Sequence, residues 1–129
     1  MAIKGRCYCG ATEFEIDAAP ESVTFCTCSF CSKTGALWAY YRPDQVRFTR
    51  LEHDGLYAPR LNKHHFCPVC GMTTYGESPS WDLETKLPDF SRMTVAINAR
   101  LLEDFDLDTV EQRMDPAAGF DGPSGQIFG

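Results

Sequence analysis

Seven cysteines, at positions 7, 9, 26, 28, 31, 67 and 70 of a 129-residue chain, constrain this sequence more than any other feature. The number is odd, so they cannot all pair within the chain, and a Cys-x-Cys pair is poorly placed to bridge with itself. A secreted disulfide scaffold would carry an even count behind an export signal. Here Met1-Ala2-Ile3-Lys4-Gly5-Arg6 runs into polar sequence with no apolar signal region. The expectation is a reducing, cytoplasmic setting with the thiolates on metal ions.

Composition narrows the class further. With 43% hydrophobic and 12% aromatic residues the chain has the material for one buried core, which argues against disorder. Nothing approaches the roughly 20 consecutive apolar residues of a membrane-spanning helix. The formal charge is −6, and thiolate–zinc sites would make it more negative. Nucleic acid and acidic membrane surfaces are therefore disfavoured, because phosphate binding needs clustered Lys and Arg and the basic residues here are scattered.

Periodicity predicts a mostly β single domain of short strands over residues 1–115, followed by a Gly/Pro-rich tail at 116–129. Thr12 to Ile16 alternates polar and apolar residues, as does Val46 to Thr49. Ala36 to Tyr41 reads as an aromatic strand ending in the turn Arg42-Pro43-Asp44-Gln45. Leu56 to Ala58 and His64 to Phe66 flank a polar turn, the pattern of a hairpin, and Met93 to Ile97 is another strand. Asp106 to Arg113 reads as two helical turns with an acidic cap, and the segment from Ser78 to Phe90 as an irregular loop.

The cysteine spacing has a chemical meaning. Residues i and i+2 of an extended strand project to one face, so Cys7/Cys9 and Cys26/Cys28 can each offer two sulfurs to one ion. Cys67-Pro68-Val69-Cys70-Gly71 has the form of a zinc knuckle, in which the glycine permits a left-handed backbone. Cys28-Ser29-Phe30-Cys31 has the same gap, which makes Cys26, Cys28 and Cys31 one three-thiolate cluster. Zinc sites closed by four protein ligands are structural, whereas three ligands and an open position make a reactive one. Seven ligands divide as four plus three. Cys7, Cys9, Cys67 and Cys70 can form the closed site, or Cys7, Cys9, Cys26 and Cys28 can, leaving Cys31 with the knuckle. The first division is preferred, because three cysteines within six residues are hard to split between two distant ions.

These residues resemble a known family. Gly5-Arg6-Cys7-Tyr8-Cys9-Gly10, then Cys26-Thr27-Cys28-Ser29-Phe30-Cys31-Ser32-Lys33-Thr34-Gly35, then Phe66-Cys67-Pro68-Val69-Cys70-Gly71 look like the glutathione-dependent formaldehyde-activating enzyme family, the centromere protein V/GFA-type zinc domain. Val95-Ala96-Ile97-Asn98-Ala99-Arg100-Leu101-Leu102 resembles its final strand. The likeness runs from about residue 3 to residue 115. It implies a mainly β, single-domain complex fold of short antiparallel sheets with a structural zinc knuckle. It implies two zinc ions per chain, with Cys7, Cys9, Cys67 and Cys70 holding the structural one and Cys26, Cys28 and Cys31 the catalytic one. The implied activity is that of a carbon–sulfur lyase joining glutathione to formaldehyde as S-hydroxymethylglutathione. Thr27 departs from the pattern, since the family commonly has histidine there, and this bears on the substrate.

An open position beside three thiolates would suit a small-molecule thiol such as glutathione, kept deprotonated by the metal. Lys33, Arg60, Lys63 and Arg92 are electrostatically plausible for its carboxylates, against the simpler reading of solvated surface charges. Strand alternation predicts that one of His64 and His65 points inward and the other to water, with a structural role favoured over a ligand role for both. His53 reads as part of a turn. Trp38, Tyr40 and Tyr41 could line a pocket, and Thr27, Ser29 and Ser32 could donate to zinc-bound sulfur. Two competing readings are a non-catalytic zinc module that binds a protein partner and a metal-storage or thiol redox protein.

Overall fold

The computed structural model describes residues 2–59, 61–82 and 84–115. The tail at 116–129 lies outside them, as does Arg60. Among the described residues ten strands build two sheets, accompanied by one short α-helix. The first sheet takes β1 (Ile3–Arg6), β2 (Thr12–Ile16) and β5 (Val46–Leu51) in the order β1-β2-β5, all antiparallel. The second is seven-stranded. Its members are β3 (Ser22–Cys26), β4 (Trp38–Tyr41), β6 (Gly55–Tyr57), β7 (Lys63–Phe66), β8 (Thr73–Trp81), β9 (Pro88–Asn98) and β10 (Glu111–Asp115). Their order is β10-β3-β4-β9-β8-β7-β6. Every pairing is antiparallel except β10 on β3, which is parallel and departs from the all-antiparallel expectation.

The core lies between the sheets. Phe14 and Ile16 of β2 and Val46 of β5 meet Val23, Ala39, Tyr75, Val95 and Ile97 from one face of the large sheet. Burial at every second position of β2 is the alternation read in its sequence. Gly5 of β1 pairs with Phe14, and a Cβ at residue 5 would drive into the Phe14 ring. The motif glycine at this position thus makes room for the largest of the fully buried side chains.

Three sequence expectations need correction. The segment from Ser78 to Phe90 is the end of β8, a turn and the start of β9, not an irregular loop. Its polar, proline-bearing strands hid the alternation, and a register shift at Pro79/Ser80 breaks it further. Asp106 to Arg113 holds a single 3-10 turn, Leu107–Thr109, and then the edge strand β10, instead of two α-turns. The acidic cap is real, with the Asp106 side chain accepting from the Asp108 N–H. Parallel pairing with β3 takes over after it. Finally, the six-residue helix α1 (Ser29–Thr34) sits inside the cysteine motif, where no helical signal was read.

The large sheet has two unlike faces. One is the core face. On the other, a cross-strand row runs Tyr40, Ala96, Gly76, His64 and Tyr57, and the next row holds Thr24, Trp38 and Asn98. Helix α1 packs on this second face through a small apolar cluster of Cys28, Cys31, Ala36 and Trp38, with Cys26, Phe30 and Ala96 at its edge. Among the described residues no helix is long and apolar enough to cross a membrane.

Candidate metal centres

The structure gathers the seven cysteines into two groups. Cys7, Cys9, Cys67 and Cys70 form one and Cys26, Cys28 and Cys31 the other, with the sulfurs of each group all within 4.8 Å of one another. This is the preferred division of the sequence. Cys31 lies with Cys26 and Cys28, not with the knuckle.

The four-cysteine group joins the sheets. Cys7 leaves β1 of the small sheet, and Cys67 leaves β7 of the large one. The Cys7–Cys9 segment is a turn, not the extended strand expected from its spacing. The Gly10 N–H donates to the Cys7 carbonyl at 3.1 Å, and Gly10 adopts φ +82°. The second loop has the same design, with Gly71 N–H donating to the Cys67 carbonyl at 2.7 Å and Gly71 at φ +79°. Both glycines occupy the left-handed region that side chains disfavour. The Cys7–Cys9 sulfurs lie 3.7 Å apart and Cys9–Cys67 3.6 Å apart. A tetrahedral zinc with Zn–S bonds of about 2.3 Å needs sulfurs roughly 3.8 Å apart, so the cage fits that ion. The Thr12 N–H points at the Cys7 sulfur at 3.4 Å. Burial raises the Cys70 thiol, yet N–H groups of Cys9 and Met72 aimed at its sulfur, with Cys67 and Cys7, bring it down to about 6. A thiolate is the form a metal takes.

The three-cysteine group is assembled around α1. Cys26 ends β3, and Cys28 is the helix N-cap, with its sulfur accepting the Cys31 N–H at 3.3 Å. Gly35 at φ +70° closes the helix by donating to the Cys31 carbonyl at 2.9 Å. The Arg100 guanidinium holds the Gly35 carbonyl at 2.7 Å. The Trp38 indole N–H donates to the Cys31 sulfur at 3.5 Å from the sheet below. In the bare chain the Cys31 thiol is pushed up, first by the hydrogen bond with Cys26 and then by burial, against the lowering donation from Trp38. A divalent cation among these sulfurs reverses that balance. Among the described residues no fourth Cys, His, Asp or Glu joins this group.

The other candidate residues fall into place around these centres. Both His64 and His65 are buried, so neither points to water as alternation suggested. His64 lies on the α1 face, where the Phe30 ring covers it at a centroid distance of 4.0 Å with Tyr57 beyond. His65 lies on the opposite face between two carboxylates: Nδ1 meets Asp54 at 3.0 Å and Nε2 meets Glu77 at 2.7 Å. Its ring stacks on Tyr75 at 4.0 Å, and the Tyr75 hydroxyl donates to Asp54 at 3.1 Å. Nothing in the sequence pattern pointed to Asp54 or Glu77, which reach His65 from two separate strands and loops. His53 sits exposed between β5 and β6.

Trp38 lies beneath the cluster, Tyr40 on the same face and Tyr41 against the core. The Ser32 hydroxyl donates to the Thr27 carbonyl at 3.2 Å, so it is not a sulfur donor. The Thr12 and Cys31 backbone N–H groups and the Trp38 indole do donate to sulfur. Lys33 is exposed on α1, Lys63 is exposed at the start of β7, and Arg92 is paired with Asp89 at 2.9 Å.

Fold and site together define a mainly β protein with two thiolate cages suited to metal, one of four sulfurs and one of three. The glutathione-dependent formaldehyde-activating enzyme family model matches residues 2–91, and the chain belongs to that family. A Halomonas elongata protein named "Putative glutathione-dependent formaldehyde-activating enzyme" is 28% identical over 96 residues, 63% of this chain. The match spans 59% of that relative's own length. A crystal structure of a Rhodobacter sphaeroides protein superposes with a TM-score of 0.62 at 28% identity, covering 84% of this chain and 98% of the other.

Proposed function

We propose that this protein is a zinc-dependent carbon–sulfur lyase that makes and breaks the bond between glutathione, or a related thiol, and formaldehyde. In this reading Cys7, Cys9, Cys67 and Cys70 hold a structural zinc, and Cys26, Cys28 and Cys31 hold the catalytic one. The observation that carries the reading is the three-sulfur group on α1, which leaves a tetrahedral ion one ligand short. The family membership supports the substrate pair. Bound zinc would supply a site where a substrate thiol is held deprotonated at neutral pH.

The chain's own residues prepare that site. Cys26, Cys28 and Cys31 fix three corners of the coordination sphere from one strand end and one helix turn. The Trp38 indole N–H and the Cys31 backbone N–H donate to two of the sulfurs. These bonds draw charge from the protein thiolates and hold their orientation. Phe30, Ala36 and Trp38 pack around the sulfurs and limit water on the protein side. The reaction balances simply. The substrate sulfur's electron pair forms a bond to the carbonyl carbon, and the C=O π pair moves to oxygen. That oxygen takes a proton to give the hydroxymethyl thioether, and the reverse sequence releases aldehyde and thiol.

Exchange spectroscopy by NMR tests the proposal, following glutathione and formaldehyde against their adduct with and without the zinc-loaded protein. Wild type should accelerate the exchange, and Cys28→Ser should abolish the acceleration while remaining folded. A zinc-loaded wild type that leaves the exchange at its spontaneous rate would overturn it and favour a zinc-stabilised binding module.

A further inference from the structure

Two of the three sulfurs are carried by the turn Cys28 to Cys31, whose shape depends on what holds the ends of α1. A helix of six residues is too short to be stable by itself in water. Its first turn is held from within, by the Cys31 N–H on the Cys28 sulfur. At the other end the Gly35 N–H donates to the Cys31 carbonyl at 2.9 Å, and the Thr34 hydroxyl donates to the same carbonyl at 3.2 Å. From Gly35 the chain runs through Ala36 and Leu37 into β4 and Trp38.

The motif Val95 to Leu102 grips that exit. It ends in a 3-10 turn, Ala99–Leu101, with Asn98 as its cap. Three bonds reach from this turn to residues 35–37. The Arg100 guanidinium donates to the Gly35 carbonyl at 2.7 Å, the Leu37 N–H donates to the Asn98 side-chain oxygen at 3.4 Å, and the Ala99 N–H donates to the Leu37 carbonyl at 2.7 Å. Asn98 is buried, and the same oxygen accepts the Arg100 N–H at 3.2 Å, which fixes the direction in which residue 100 leaves the turn. The Asn98 amide in turn donates to the Thr73 carbonyl at 2.9 Å. Thr73 opens β8 just after the Cys67–Cys70 loop, so the cap that aims Arg100 is anchored on the strand leaving the four-cysteine cage.

The Arg100 side chain is exposed, and what it supplies is a charge-assisted bond to a carbonyl just past the end of α1. A metal binds most tightly to ligands that are already in place, because ordering them on binding costs affinity. We infer that Arg100 is a positioning residue for the three-sulfur centre, acting through Gly35 and the Cys31 carbonyl to hold Cys28 and Cys31 beside Cys26. The inference rests on the reading of that group as a metal centre. It gives an arginine remote in sequence from every cysteine a part in setting that centre's affinity.

Metal titration tests it with two variants, Arg100→Met, which keeps the aliphatic stem and loses the donor, and Arg100→Lys, which keeps a cationic donor. In competition with a chromogenic chelator, Arg100→Met should bind its second zinc about fivefold more weakly, the factor that one exposed charge-assisted bond carries, and its first zinc as wild type does. With cobalt(II) as the probe, the absorption of the second site should shift in Arg100→Met and return towards wild type in Arg100→Lys, along with the affinity. Unaltered affinity for the second zinc in Arg100→Met would overturn the inference and leave the lyase reading intact. Equal weakening of both zinc ions would show a general effect on the fold and overturns it as well. A wild type that takes up only one zinc ion would overturn both this inference and the reading beneath it.

Discussion

The Trp38 indole N–H donates to the Cys31 sulfur at 3.5 Å, tying the floor of the large sheet to the three-cysteine centre. Trp38 is itself nearly buried, so the bond is shielded from water and holds the sulfur against a rigid strand. A tryptophan in a strand is ordinarily read as core. Here its ring packs in the core of the α1 face while its one polar atom serves the three-sulfur group.

Replacing Trp38 by Phe keeps most of that packing and removes the donor. Outer-shell partners of metal ligands typically carry about 10- to 100-fold in affinity. We expect Trp38→Phe to bind its second zinc about tenfold more weakly in a competition with a chromogenic chelator, with the first zinc unaffected. Equal affinity for both ions in variant and wild type would show that the indole bond is incidental.

The four-cysteine cage closes the gap between β1 of the small sheet and β7 of the large one, whereas the three-cysteine group lies within one face of the large sheet. Metal removal should therefore proceed in two stages. A mild chelator should take one zinc, abolish exchange activity and leave the circular dichroism spectrum in place. Removing the second should unfold the domain, because structural zinc binding is folding free energy. Cys67→Ser should accordingly lose the fold, and Cys28→Ser should keep it. Simultaneous loss of both ions with structure would argue against the division of roles.

His65 is held by Asp54 at 3.0 Å and Glu77 at 2.7 Å. It joins the loop before β6 to β8 across its own strand. His65→Phe preserves the stack on Tyr75 and leaves two carboxylates facing an apolar ring. Loss of hydrogen bonds to two partly exposed carboxylates should cost about 2 kcal/mol, which denaturant unfolding of the zinc-loaded protein would register. A change below about 1 kcal/mol would mean that water replaces the imidazole without loss.

Gly5 pairs with Phe14 across β1 and β2, and there is no room for a Cβ above the ring. Gly5→Ala should destabilise the domain by about 1 to 3 kcal/mol through forced movement of Phe14. Gly35→Ala meets no neighbouring atom, and its cost comes only from φ +70°. The two alanine variants should differ in rescue: Phe14→Leu should recover part of the loss at Gly5 and none at Gly35, as measured by thermal unfolding.

The cysteine groups were legible because thiols that can share a metal ion announce themselves by spacing, and the division of seven into four and three followed from three sulfurs within six residues. Strands with alternating burial, such as β2, were legible for the same kind of local reason. What failed to show was anything decided by partners distant in sequence. β10 carries a helix-like acidic start, and only the free edge of β3 makes it a strand. The two histidines could not be read from alternation alone. Both faces of this sheet are covered at β7, one by the core and the other by Phe30.

The most direct test of the account concerns the ligand missing from Cys26, Cys28 and Cys31. X-ray absorption at the zinc edge on the protein loaded with two ions counts the sulfurs around them. Without thiol the account predicts seven zinc–sulfur bonds over the two ions, one from each cysteine, with the remaining position taken by a light atom. Addition of glutathione should raise the count to eight and remove the light-atom contribution. A count that glutathione leaves unchanged would contradict the claim that the substrate's own sulfur completes the site.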